Sequence, residues 1–274
     1  MELKDNRKDD HNAEYAFAKF LDRRFYPYVS KHMGYDRFTR ETRVQEQCNG
    51  CDVMLFNESF DAELPLRIDE KASITYCNGR PLHTFLMELS CISQYDGKEY
   101  DGWFINDKSN TDMYALVTNI RAEFIEYGEI TENSFDSATI MLVRKAVIME
   151  YLAEHGLTIN VLRSLPSKLR KGLVSHKWQN PNNGSFDWDF EFDVNTNLST
   201  APVSIKLNNG LLQRLCDYRF YVTNDDYMPV MQLPKIEENC DGLLYKYARI
   251  AQSLKSEVDQ LKSLVNAKLI INNI

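Results

Sequence analysis

The chain has 274 residues, of which 43 % are apolar and 12 % aromatic, and a formal net charge of −8. That length suffices for a sizeable core, and that composition excludes a disordered chain. The sequence pI of about 5.3 argues against nucleic-acid binding over the whole surface while leaving room for a local basic groove.

No apolar run approaches the roughly 20 residues of a membrane-spanning helix. The start, Met1-Glu2-Leu3-Lys4-Asp5, lacks the apolar stretch of a secretory signal. The expectation is a cytoplasmic protein with no membrane partner. Six cysteines, at 48, 51, 77, 91, 216 and 240, are expected as reduced thiols. Cys48-x-x-Cys51 has the spacing of a redox pair or half a zinc site. Strand-like residues rather than a helix follow it, and Cys77 and Cys91 complete no ribbon or finger spacing.

Residues 12–26 predict a helix with Ala13, Phe17, Phe20, Leu21 and Phe25 on one stripe, and Glu14, Lys19, Asp22 and Arg23 off it. Asp10 or Asn12 would cap its start and Pro27 would end it. Residues 36–48 read as extended. Asn49-Gly50 is a turn signal, followed by a strand at 51–56, a loop at 57–65 and a strand at 66–74. Asn78-Gly79-Arg80-Pro81 predicts another turn, and strand-like runs follow at 83–91, 102–106 and 112–120.

Residues 134–155 predict a helix with Ile140, Val143, Val147, Met149, Tyr151 and Leu152 on a broad face and Gly156 at C′. A shorter helix at 158–171 carries Pro166 as a potential break. Between 155 and 186 there is no Asp or Glu, while Arg163, Lys168, Arg170, Lys171 and Lys177 are present with His155 and His176. This basic island is the candidate for phosphate contact. Phe186 to Val194 alternates strictly, with Phe186, Trp188, Phe190, Phe192 and Val194 on one face and four acids on the other, the pattern of a half-buried strand. Strands at 202–207 and 218–223 flank a helix at 209–216. The segment 241–271 predicts a long helix whose apolar stripe would pack within the chain or build a homo-oligomer.

The chemistry concentrates in two of these strands. Asp52 stands in Gly50-Cys51-Asp52-Val53, and Asp69 and Lys71 stand in Leu66-Arg67-Ile68-Asp69-Glu70-Lys71-Ala72. Residues two apart on a strand share a face, so Asp69, not Glu70, is the partner for Lys71. An antiparallel hairpin centred on Asp61 sets Asp52 opposite Glu70, and a slip of one residue sets it level with Asp69. Two close carboxylates repel, and a divalent cation removes that cost. Oxygen ligands suit Mg²⁺ or Mn²⁺. A lysine beside them could hold a water or neutralise developing charge.

Gly50-x-Asp52-Val53 followed by Asp69-Glu70-Lys71-Ala72 resembles the PD-(D/E)xK nuclease superfamily over about residues 10–120. Cys51 replaces the name-giving proline, and a helix after the third strand is poorly marked. The resemblance implies a restriction-endonuclease-like αβββαβ core, with Asp52, Asp69 and Lys71 as catalytic residues. Asp52 and Asp69 would hold the metal, with Glu14 from the preceding helix or Glu88 from the next strand as a further ligand. The expected architecture is therefore α/β, a mixed sheet flanked by helices. It would span 1–240, with a helical, basic insertion at about 134–185 and a C-terminal helix at 241–274. The expected function is metal-dependent hydrolysis of phosphodiester bonds, with DNA as partner. The alternative is a catalytically inactive nucleic-acid-binding or assembly protein on the same fold.

Overall fold

Helix α1 (Arg7–Arg24) buries Ala13, Phe17, Phe20 and Leu21 of the stripe that the sequence predicts, together with Ala16, and Phe25 is buried just beyond its end. The computed structural model describes residues 7–43, 46–47, 49–57, 65–123, 130–182 and 184–234, with side chains from residue 12 onward. Asp10 and Asn12, expected to cap the helix start, both lie inside α1, so neither caps it; Cys48, Cys240, the middle of the 57–65 loop and the helix expected at 241–271 lie outside the described residues. Pro27 does not end a helix. It occupies the first turn of α2 (Tyr26–His32), where the missing N–H costs nothing and the fixed φ is already helical.

Among the described residues, twelve strands form two sheets. They are β1 (Arg37–Arg40), β2 (Val53–Phe56), β3 (Leu66–Ala72), β4 (Thr84–Ile92), β5 (Glu99–Asp101) and β6 (Met113–Ala122). The rest are β7 (Phe135–Arg144), β8 (Lys177–Gln179), β9 (Phe186–Val194), β10 (Val203–Asn208), β11 (Tyr218–Thr223) and β12 (Val230–Leu233). Three further helices are α3 (Lys145–Glu154), α4 (Ile159–Arg170) and α5 (Asn209–Leu215). The seven-stranded sheet runs β1-β2-β3-β6-β7-β11-β12 and the five-stranded sheet β5-β4-β10-β9-β8. Among the described strands only the β3–β6 pair is parallel. The class is mixed α/β, with two sheets where the sequence predicts one.

The larger sheet is buried on both faces. One face carries Val53, Leu55, Ile68, Ala115, Val117 and Ile140 against α1 and α2. The other carries Tyr114, Leu116, Met141 and Val143 into a core shared with Phe85, Met87, Leu89, Ile205 and Phe192 of the smaller sheet and with Leu152, Leu162 and Leu165 of the helices. No described helix is long and apolar enough to cross a membrane.

Several expectations need correction. Residues 134–155 are not one helix: Phe135–Arg144 is a strand and only Lys145–Glu154 is helical. The strand is central and covered on both faces, so period-two alternation vanishes and an apolar run remains that helical spacing fits equally well. A central strand is no insertion, so the expected insertion at 134–185 dissolves into β7, α3, α4 and β8. Pro166 lies inside α4 without ending it. Residues 102–106 form a turn after β5, and the extended run at 36–48 keeps strand geometry only at Arg37–Arg40. Gly156 does serve as the C′ residue of α3: its φ is +83°, and the Leu157 N–H reaches back to Leu152 O at 2.8 Å.

The alternation in β9 also divides. Phe190 and Phe192 are buried, whereas Phe186 and Trp188 are 50 % and 79 % exposed; in that first half Asp187 and Asp189 face His155, just past α3, and Tyr151 of α3 instead. Alanine at Phe190 should therefore cost about 3–5 kcal/mol, and alanine at Trp188 less than about 1 kcal/mol. Urea denaturation of the two variants checks this; equal losses would mean that both aromatics are core.

Candidate active site

The β2–β3 register decides what meets what. Leu55 pairs with Leu66, Met54 with Arg67 and Val53 with Ile68. This is the slipped register, so the next pair outward is Asp52 with Asp69, not Asp52 with Glu70. The Asp52 N–H donates to Ile68 O at 2.9 Å. Its carboxylate Oδ2 accepts the Glu70 N–H at 2.7 Å. A side-chain oxygen thus takes the place of a backbone carbonyl at the end of β2, which holds the Asp52 carboxylate against β3.

Alternation on β3 then sends its two acids to different layers. Glu70 faces α1 and α2. It accepts Tyr26 Oη at 2.7 Å and a two-pronged bond from Arg40 at 2.7 and 3.0 Å. Arg40 also binds Asp22. Burial works against the Arg40 cation, and Glu70 more than offsets it, so its pKa stands above the ordinary value. Asp69 faces the core shared with the smaller sheet and is 1 % exposed. Its Oδ1 binds Lys71 Nζ at 2.5 Å, and among the described residues its Oδ2 has no hydrogen-bond partner. Lys71 lies between that carboxylate and the face of Trp103, its Nζ 4.9 Å from the ring centroid. Trp103 in turn meets the Tyr114 ring edge-on at 5.4 Å.

Gly50 makes room for this arrangement. Its φ is +75°, and a Cβ there would stand 2.9 Å from Ser109 Oγ and 3.4 Å from Asp69 Oδ2. Neither that backbone conformation nor that space suits a larger residue.

The electrostatics are strained around Asp52. Burial, then the Glu70 and Asp69 charges, push its carboxyl up to about 7, against the pull of Lys71 and the Glu70 N–H. Glu88, on β4, is also pushed up by burial, with Lys71 and Arg170 favouring its charged form. The structure thus brings Asp52, Asp69 and Lys71 together and sets Glu88 within the field of Lys71. Glu14 is exposed on α1. That helix covers the face of the sheet opposite to Asp69 and Lys71.

The donor set suits a divalent cation. Two neighbouring carboxylates, one with a buried oxygen that no donor satisfies, carry excess negative charge in a partly dry place, the situation a hard cation relieves. Among the described residues no group of three or more Asp, Glu, His or Cys is arranged to hold a metal by itself. Water and substrate oxygens would fill the remaining positions, as is usual for Mg²⁺.

The basic residues separate into two kinds. Arg163 pairs with Asp101 and Asp107, and its guanidinium donates to Ile105 O. Arg170 pairs with Glu99 at 2.6 Å and donates to Ser90 and Ala201. These two arginines, expected as phosphate contacts, are engaged with acids and carbonyls of the smaller sheet and of the turn after β5. Lys168, Lys171 and Lys177 are exposed, with Lys177 over the Trp188 ring. Trp178 is half-buried against Phe192, and its Nε1 donates to His155 O. Cys51 is buried, and burial with the nearby Asp52 pushes its thiol up to about 11, far from a reactive thiolate.

Sequence reasoning missed three residues here: Trp103, Tyr114 and Lys145. Tyr114 pairs directly with Asp69 across β3 and β6; among the described residues its buried hydroxyl has no hydrogen-bond partner. Lys145 is half-buried where β7 becomes α3. A tyrosine inside the apolar run 113–117 was the available signal for Tyr114. Reading 134–155 as one helix removed the strand parity that would have placed Lys145.

Asp52 yields a prediction with a definite sign. Its folded pKa of about 7 lies above the ordinary 3.8, so its contribution to stability is complete below about pH 4 and is lost as pH rises through about 7. Between those limits the wild type should lose on the order of 2–4 kcal/mol relative to Asp52→Asn, read from urea midpoints at each pH without divalent cation. Parallel pH profiles would show that Asp52 is not crowded by carboxylates.

Comparison with known protein families, with curated proteins and with solved structures finds no match to this chain.

Proposed function

We propose that this chain is a metal-dependent nuclease that hydrolyses phosphodiester bonds, with DNA as its substrate, on a restriction-endonuclease-like core of the PD-(D/E)xK type. One observation carries the reading: the β2–β3 register sets Asp52 level with an Asp69–Lys71 pair whose second carboxylate oxygen is buried and unsatisfied. The chain order supports it. Helix α1, the antiparallel run β1-β2-β3 and a crossover to the parallel β6 follow the αβββαβ order that the resemblance implies. The pair β4–β5 stands where that order has a helix.

In this reading Asp52 and Asp69 hold Mg²⁺ or Mn²⁺. The ion would supply an acidified water and charge neutralisation on the phosphate. Lys71, kept in place by Asp69 and the Trp103 face, orients the attacking water and offsets the negative charge that grows on the phosphoryl oxygens. Glu88 is the acid best placed to accept a proton beyond Lys71, because burial keeps its proton affinity high. Lys168, Lys171 and Lys177 offer exposed positive charge for the backbone of the duplex.

A second reading is a nucleic-acid-binding or assembly protein on the same fold without catalysis. The Lys71–Asp69 ion pair favours it, since a lysine spent on a carboxylate need not serve a water.

Supercoiled plasmid incubated with Mg²⁺ or Mn²⁺ should be nicked or cut, and chelation should stop it. Lys71→Ala and Asp69→Ala should each slow cleavage by about 100-fold or more. Equal cleavage by wild type and both variants would mean a contaminating nuclease and would sink the assignment. Binding without cleavage by the wild type would select the second reading. Replacing Lys168, Lys171 and Lys177 together by alanine should weaken duplex binding by about 10-fold at low salt; unchanged affinity would remove the island from the interface.

A further inference from the structure

The Asn49-Gly50 turn and the Asp69 carboxylate both meet the short segment 109–112 ahead of β6. A Cβ on Gly50 would stand 3.4 Å from Asp69 Oδ2 and 2.9 Å from Ser109 Oγ, and it would collide with Thr111 Oγ1. Two hydroxyls and the unsatisfied carboxylate oxygen therefore crowd one bare glycine carbon. Thr111 is only 7 % exposed, although it is a polar residue in a loop.

Proton counting shows what holds it there. A carbonyl can only accept, so Thr111 Oγ1 donates to Gly50 O, at 2.8 Å. That uses its single proton. In the 2.8 Å contact between Ser109 Oγ and Thr111 Oγ1, Ser109 must then be the donor. The hydroxyls form a one-way chain from half-buried Ser109 through Thr111 to the Gly50 carbonyl.

The neighbouring backbone fastens the same two places. The Asn110 N–H donates to Asn49 O at 2.8 Å, and the Asp112 N–H donates to Arg67 O at 3.1 Å. The Arg67 N–H returns a bond to Asp112 Oδ2 at 2.9 Å. Segment 109–112 thus holds both the turn that leads into Asp52 and the strand start that leads into Asp69. The β2–β3 ladder has only three pairs and ends at Val53–Ile68. Asp52 lies one position beyond it, at the end nearest Gly50. The gap between the two carboxylates depends on how that end is anchored.

We propose that Thr111 is a positioning residue for the Asp52–Asp69 pair. By holding Gly50 it sets the gap between the carboxylates, and with it their affinity for a divalent cation. Thr111 acts through the Gly50 backbone, not on the ion. The proposal rests on the reading of the pair as a cation site, and it adds a residue which that reading does not assign.

Titration of the full chain with Mn²⁺, with free ion read by electron paramagnetic resonance, tests it. Thr111→Val keeps the side-chain shape and leaves the Gly50 carbonyl without its donor. Mn²⁺ affinity should fall about 10-fold, the lower end of the effect of groups that orient metal ligands. Thr111→Ser keeps the hydroxyl and should restore the affinity. Ser109→Ala removes only the group that orients Thr111, so its loss should be smaller. The control is Ser134→Ala. It removes a buried hydroxyl that accepts the Thr131 N–H at 3.2 Å, at the far end of β6 and β7. It should lower the melting temperature and leave Mn²⁺ affinity unchanged. In plasmid cleavage, Thr111→Val should need about 10-fold more Mg²⁺ for half its maximal rate, with that maximal rate largely kept.

If the wild type binds Mn²⁺ and cuts, and Thr111→Val binds as it does, the positioning role is wrong and the nuclease reading stands. If the wild type binds Mn²⁺ and never cuts, while Thr111→Val loses affinity and Thr111→Ser regains it, the positioning role stands and the nuclease reading falls. Affinity lost equally in Thr111→Val and Ser134→Ala would mean general loosening and would overturn the assignment. No Mn²⁺ binding by the wild type would overturn both.

Discussion

Burial of β3 on both faces is the constraint from which the rest follows. A strand covered on both sides must find an answer for every side chain, and β3 carries two acids and a lysine in consecutive positions. Ile68 answers with apolar contact. Glu70 answers with Arg40, which also ties down Asp22, and with the Tyr26 hydroxyl. The α1 layer is therefore joined to the sheet by charge as well as by its phenylalanine stripe. Asp69 answers with Lys71 on one oxygen only. An unsatisfied buried acceptor typically costs about 1–3 kcal/mol, and more when charged. The same strand thus holds one carboxylate that is fully satisfied and one that is not, and the contrast locates the site.

The smaller sheet and the helices turn that local imbalance into an enclosed place. Trp103 follows β5 and covers Lys71, while Glu88 on β4 faces the Lys71 and Arg170 charges. Arg170 and Arg163 in turn fasten α4 to the strands that carry these residues. Positive charge concentrated in the 155–186 segment is consequently of two kinds. Part of it is engaged in ion pairs with the smaller sheet, and part is exposed lysine. The acidic net charge of the chain coexists with this because the carboxylates of β9 are engaged nearby. Asp189 meets Tyr151 and Arg214, and Asp193 meets Lys206.

Much was legible in the sequence where local periodicity decides structure. The α1 stripe, the Asn49-Gly50 turn, the strands at β2 and β3 and the cap at Gly156 depend on neighbours within a few residues, and the structure contains each of them. The shared face of Asp69 and Lys71 follows from period two alone, and so does the separation of Glu70 from both. Elements buried on two sides were not legible. In β7 both faces are apolar, so neither period stands out, and a strand and a helix share one pattern. The failure carried over to the site, since Lys145 finds its place only when β7 is a strand.

The amino-acid sequence by itself determined which residue types stand two apart on β3, and hence which of its acids faces a lysine. Tertiary structure decided the register that sets Asp52 level with Asp69, because that choice rests on a carboxylate accepting the Glu70 N–H and on two cores packing at once. It also decided which basic residues are spent internally and which polar groups are left unsatisfied. Those outcomes depend on contacts between residues 18 to 71 positions apart, and no local pattern encodes them.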